Sequence, residues 1–212
     1  MTKALRWRVL VLQAGLIVIL GALAGFTLWA SNYVQSSVRT QLTAQAITFP
    51  AANSPEITAL PAVDQAAMRQ YAGQLLTTGP QAEVWADNFM KVHLSAMPTY
   101  DAADTIARAN PTNAADQAVW ETVFMGTTDR SMLLNAYGWW TLGTYTGFAG
   151  IGLAIAAFAV LCTFVFELAA WRLQARVPER ATVPAPALGG AGTIPAGTVP
   201  EYGIARMTRH DG

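Results

Sequence analysis

Val9-Leu10-Val11-Leu12-Gln13-Ala14-Gly15-Leu16-Ile17-Val18-Ile19-Leu20-Gly21-Ala22-Leu23-Ala24-Gly25-Phe26-Thr27-Leu28-Trp29-Ala30 is a run of 22 residues whose only clearly polar breaks are Gln13 and Thr27. As an α-helix it is about 33 Å long, which matches a bilayer hydrocarbon core of about 30 Å. A cleaved signal peptide is the rival reading, with Lys3, Arg6 and Arg8 as its basic region and Ala22-Leu23-Ala24 as its small-residue site. The apolar run continues past that site to Leu28 and Trp29, which favours a membrane span.

A second apolar run covers Trp139 to Ala170, 32 residues. As one helix it would be about 48 Å long, so it must tilt or project beyond the bilayer. Trp139, Trp140 and Tyr145 cluster at its start and Trp171 closes it, a pattern expected of interfacial aromatic belts. Lys3, Arg6 and Arg8 precede the first span, and Arg172, Arg176 and Arg180 follow the second. These basic flanks predict cytoplasmic termini. The expected order is a cytoplasmic N-terminus (1–8), a transmembrane helix (9–30), an extracytoplasmic helical domain (31–137), a second transmembrane helix (138–171) and a cytoplasmic tail (172–212). The membrane would be the bacterial inner membrane.

Composition agrees with this class. Of the 212 residues 53% are hydrophobic and 12% charged, about half the charged fraction usual in soluble domains. Thirteen basic residues balance thirteen acidic ones, which gives no footprint for nucleic acid. One Cys excludes a disulfide framework, and two His exclude a multi-histidine metal site. Neither span carries a His, which argues against haem held between them. No cofactor or metal is expected.

Between the spans the sequence reads as helical. No Gly or Pro interrupts Ser31 to Phe49, so the first span should continue as a helix through Gln45. Pro50, Asn53, Pro55 and Pro61 mark a loop, followed by a helix from Ala62 to Leu76. Thr78-x-x-Gln81 has the spacing of a capping box, with Pro80 tolerated in the first turn. Ala82, Trp85, Phe89, Val92 and Ala96 then form an apolar stripe at helical spacing, with Trp85 and Phe89 as core anchors. Asp87 and Lys91 have the spacing of a surface pair. Pro98 ends this helix, and Asp101 can cap another to Ala109. Asn110-Pro111-Thr112-Asn113 is a turn, and Asn113 can cap a helix to Met125. Gly126 is expected to end it, with Thr127 or Thr128 capping the run into span two. The fold class expected is all-α: a small antiparallel helical bundle standing on two transmembrane helices, with an extended C-terminal tail.

Candidate interaction residues come from three features. Gly21-x-x-x-Gly25 and Gly143-x-x-x-Gly147 are small-residue patterns that let helices approach closely in lipid. Val177 to Gly212 holds five Pro and six Gly in 36 residues, a composition that cannot build a core. Three Thr-apolar-Pro units, ending in Pro184, Pro195 and Pro200, suit extended contact with a partner, and Arg206 and Arg209 suit an acidic receiving patch. The domain from 31 to 137 carries only 14 charged residues in 107, which fits either a low-charge domain rich in Ala, Thr and Gln or one whose surface other subunits cover in part. Catalytic signatures do not emerge. His93 stands alone, Asp101 and Asp104 suit a helix start, and no phosphate loop or nucleophile–base constellation is legible. Glu167 lies one turn from Trp171 and Arg172, within reach of an interface, and Cys162 reads as a small apolar residue.

Several stretches together resemble a group of uncharacterised actinobacterial two-span membrane proteins. They are Gln45-Ala46-Ile47-Thr48-Phe49-Pro50, Tyr71-Ala72-Gly73-Gln74, Thr78-Gly79-Pro80-Gln81-Ala82-Glu83, Ala86-Asp87 with His93-Leu94, and Thr122-Val123-Phe124-Met125-Gly126 with Leu133-Leu134-Asn135-Ala136-Tyr137. The likeness runs from Val38 to Trp140. Members are often labelled aromatic ring-opening dioxygenases. A non-haem iron site wants His and carboxylate ligands, and one His in the outer domain speaks against that label. Small actinobacterial membrane proteins of this type also look like accessory factors of the cytochrome bcc–aa3 respiratory supercomplex. That resemblance implies a non-catalytic subunit whose partners are integral membrane subunits of respiratory complexes III and IV, together with lipid. The alternative is a two-span extracytoplasmic sensor or binding protein, although the cytoplasmic part offers no output domain.

Overall fold

The computed structural model describes residues 3–175. Two long helices dominate it: α1 (Lys3–Ala44) and α7 (Ala114–Ala175), about 63 and 93 Å long at the α-helical rise. Both contain a stretch long and apolar enough to cross a membrane. Between them lie α2 (Pro55–Thr58), α3 (Ala62–Arg69), α4 (Gly79–Val84), a π-helical segment (Trp85–Met90), α5 (Lys91–Ser95) and α6 (Tyr100–Ala109). The described residues contain no strand, only an isolated antiparallel bridge between Thr48 and Leu75.

α1 and α7 form an antiparallel hairpin in constant register. The guanidinium of Arg6 donates to the Gln174 side chain at one end. Further along, a Cβ placed on Gly150 would press on Thr27 and Leu28, and one on Gly147 would reach Ser31 Oγ at 2.8 Å. Gln35 Nε2 then donates to Thr144 Oγ1 at 3.1 Å, and the Arg39 guanidinium lies 5.8 Å over the Trp140 ring. Glycine on α7 thus meets small or slender side chains on α1, which brings the backbones close. The second apolar run exceeds the first because its opening residues, Trp139 to Phe148, lie beside the polar stretch that follows Ala30.

α1 ends at Ala44, where Ala46 adopts φ 52, a left-handed conformation costly for any residue with a Cβ. The turn delivers Ile47 and Phe49 to the segment after α3. There Leu76 N donates to Ile47 O at 2.8 Å and Phe49 N to Gln74 O at 2.9 Å. Gly73, at φ 71, allows the chain to turn into this pairing. The helix expected to reach Leu76 therefore stops at Arg69, because the last residues pair with 47–49 instead. The core beside the hairpin contains Phe49, Ile57, Met68 and Leu76, with Val38, Leu42 and Leu133 from the long helices.

The capping box at Thr78 and Gln81 forms as its spacing predicts. Gln81 Oε1 accepts from Thr77 N at 2.8 Å and Thr78 N at 3.0 Å, and its amide donates to Gln74 Oε1 at 3.1 Å. The buried Gln81 side chain is thereby satisfied on both ends. Gly79 seats the helix start against Trp140, whose side chain leaves no room for a Cβ there.

Several local expectations are corrected. The stripe helix is not uniform, because Trp85–Met90 is π-helical and shifts the phase of the turns after it. Ala82 and Ala86 are the fully buried positions, Trp85 and Phe89 are half-buried against the core, and Ala96 is exposed. Asp87 pairs with Arg130 at 2.6 Å rather than with Lys91. Thr99 rather than Asp101 caps α6, its hydroxyl accepting from Ala102 N. Gly126 does not end a helix: α7 runs through it, and the missing Cβ makes room for Leu94. The described residues are all-helical with two long apolar helices, as expected, and short segments packed on the flank of those helices stand where a small antiparallel bundle was expected on top of them. The tail from Val177 to Gly212, with Pro184, Pro195, Pro200, Arg206 and Arg209, lies outside the described residues.

Candidate functional site: a cleft between the long helices

Beyond their apolar stretches α1 and α7 stay in direct contact, the π-helical segment packs on α7, and residues of all three line a cleft of about 640 Å³. That size falls within the range of about 300–1,000 Å³ usual for small-molecule sites. Val38, Leu42 and Leu133 are buried and make its floor. Trp85, Met90 and Ile47 form a wall. Ser37, Gln41, Gln45, Asn135 and Asp129 supply the polar rim.

Each wall has a local cause. Val34, Val38 and Leu42 repeat every four residues along α1 and so keep to one side. On α7 the pairs Met132 and Ala136, and Asn135 and Trp139, are likewise four apart. Trp85 is held by a T-shaped contact with Phe49 at 5.1 Å and a tilted one with Phe89 at 4.8 Å. Phe89 continues to His93 at 4.4 Å, whose Nδ1 lies 2.7 Å from Phe89 O. His93 therefore completes an aromatic ladder on an exposed face and does not enter the cleft. The π turn is anchored by Arg130, which donates to Ala86 O and to the Asp87 carboxylate, and by Asn88, which donates to Asp64 at 2.7 Å. Segments of π-helix often occur at functional sites.

At the end nearest the apolar stretches stands Tyr33. It stacks on Trp29 at 5.7 Å, and Trp29 meets Phe26 at 5.9 Å, so an exposed aromatic column runs from the first apolar stretch to the cleft. Asp129 lies at the opposite end and is the only charged residue in the lining. The arrangement suits an amphipathic guest: apolar along the floor, hydrogen-bonding at the rim. It offers no nucleophile–base pair. Among the described residues no three His, Cys, Asp or Glu side chains stand together in a way that could hold a metal ion.

The four candidate glycines divide in two. Gly143 and Gly147 face α1, at Val34 and Gln35 and at Ser31, and their small size is used within the chain. Gly21 and Gly25 meet nothing within 4 Å and leave an open face on α1. The cleft was not among the sequence candidates. Its signal was present, because the apolar spacing of α1 persists beyond Ala30 to Leu42, but the partners on α7 and the π turn are remote in sequence.

A second feature lies at the far end of α7, which projects well past the end of α1. Trp120 and Phe124 stack there at 5.7 Å, and Tyr100 of α6 approaches Phe124 at 6.2 Å. Tyr100, Ile106, Val119, Phe124 and Met125 are all exposed. Arg108 beside them is held by Asp104 at 2.7 Å, and this hydrogen bond and the adjacent negative charge raise its pKa.

Comparison with family models, with curated proteins and with solved structures finds no match to this chain.

Proposed function

We propose that this protein is a non-catalytic accessory subunit of a large membrane complex. The observation that carries the reading is the projecting tip. Tyr100, Phe124 and Met125 are 44%, 44% and 50% exposed, and Phe124 and Met125 lie about 22 Å along α7 from Trp139, where its apolar run begins. Exposed aromatic and aliphatic side chains remote from lipid mark a contact surface for another protein. The open Gly21 and Gly25 face supplies a second contact, within the bilayer. The complex most consistent with the sequence resemblance is the actinobacterial cytochrome bcc–aa3 supercomplex, with subunits of respiratory complexes III and IV as neighbours.

In this reading α1 and α7 both cross the inner membrane. Arg6, Arg8 and Arg172 share one end of the hairpin, which the positive-inside rule assigns to the cytoplasm. Trp7 and Trp29 are exposed and about 33 Å apart along α1, the spacing of the two interfaces. The cleft and the tip then stand outside the cytoplasm. The first test is purification of tagged full-length chain in mild detergent. A haem-bearing oxidase should co-migrate, and Phe124→Glu should weaken its retention while leaving the helical content unchanged. A chain that purifies alone overturns the assembly role, and a co-migrating signalling protein supports the sensor reading instead.

A further inference from the structure

The cleft has a chemistry of its own that assembly does not use. We infer that it binds an uncharged, hydroxyl-bearing amphiphile, such as a glycolipid, entering from the outer leaflet. The inference rests on the membrane placement above and goes beyond it.

Three observations select this guest. The first is access. The Phe26, Trp29 and Tyr33 column runs from the lipid-exposed stretch of α1 to the mouth of the cleft at Tyr33, about 6 Å beyond Trp29, so a chain lying against that column is led along an aromatic surface to the cleft. The second is the division of the lining. Val38, Leu42 and Leu133 form an apolar floor that an acyl chain or glycerol backbone can cover. The third is the rim. Gln41, Gln45 and Asn135 offer carboxamides that both donate and accept, as hydroxyl groups do. Asp129 can only accept while it is ionised, and it makes no ion pair among the described residues. The lining holds no Lys or Arg. A phosphate head would therefore meet a carboxylate without a counter-cation, whereas a sugar hydroxyl can donate to it. Charge thus discriminates against anionic lipid, and the carboxamides favour a polyhydroxylated head.

The test uses the full chain in nanodiscs of phosphatidylcholine. The probes are monogalactosyl diacylglycerol and phosphatidylglycerol carrying the same photoreactive acyl chain, with cross-links mapped by mass spectrometry. Both probes should label the mid-span surface around Phe158 and Phe166, exposed on α7. The galactolipid alone should label the cleft segments 33–47 and 129–139. Ala136→Trp, which fills the cleft, should cut cleft labelling about tenfold, equivalent to about 1.4 kcal/mol, and leave mid-span labelling unchanged. Gln41→Trp, on the exposed rim, does the same without disturbing the floor. Asp129→Lys should shift cleft labelling toward phosphatidylglycerol. Mid-span labelling without cleft labelling, or equal cleft labelling by both probes, overturns the inference alone. Absence of mid-span labelling overturns the membrane placement and the inference with it. A co-purifying polypeptide cross-linked in the cleft shows that protein, not lipid, fills it.

Discussion

Phe49 and Phe89 both belong to the aromatic cluster beside the hairpin, yet burial separates them. Phe49 is 1% exposed and touches both Tyr71 and Trp85, whereas Phe89 is half-buried at the edge. Removing a buried aromatic ring costs about 3–5 kcal/mol, and a half-exposed one loses correspondingly less. Phe49→Ala should therefore lower the thermal midpoint of the detergent-solubilised chain much more than Phe89→Ala. Equal losses would show that the ring at Phe89 is as deeply packed as that at Phe49. The same scale explains the altered partner of Asp87. Lys91 is one turn away, but Arg130 arrives from α7 already bonded to Ala86 O and reaches the carboxylate at 2.6 Å. A guanidinium held in place by a second bond loses less freedom on pairing than a flexible ammonium on the same helix.

Among the elements, α7 departs most from its sequence pattern. Gly126 and the threonines after it look like a helix end and a new cap, yet Thr127 donates back to Val123 O at 2.8 Å and the helix continues. Glycine costs about 1 kcal/mol inside a helix relative to alanine, and seating Leu94 against it offsets that cost. Spin labels at Thr122→Cys and Ala149→Cys, in a Cys162→Ser background, should give one narrow distance near 40 Å, the span of an unbroken helix. A shorter or broad distribution would mean a break at Gly126. The π-helical segment is another departure. Lys91 N donates to Ala86 O across the wider turn, and Trp85 and Met90 both come to line the cleft.

At the scale of the whole molecule, the constant register of α1 and α7 sets the order of features along one axis. The Arg6–Gln174 contact comes first, then the apolar stretches, then the cleft, then the projecting tip. If the apolar stretches cross a bilayer, the cleft and the tip share one side of it. An impermeant maleimide applied to whole cells should label Asp87→Cys, and Ala4→Cys only after permeabilisation, both in a Cys162-free background. Labelling of residue 87 only from the cytoplasmic side would invert the orientation.

Features with a local cause were legible from the sequence. The two apolar stretches, the helical path of α1 well beyond Ala30, and the Thr78–Gln81 capping box each depend on residues close together in the chain. Hydropathy and capping are short-range physics, so a linear reading finds them. Tertiary structure decided the rest, because the competing partners are distant in sequence. Pairing with 47–49 stops α3 early, Leu94 fills the space beside Gly126 within a continuous α7, and Arg130 takes Asp87 from Lys91. The cleft is the fullest case: its floor, wall and rim come from α1, the π-helical turn and α7, and no single stretch contains enough of it to be recognised. Only the close antiparallel approach at Gly143, Gly147 and Gly150 brings those surfaces together.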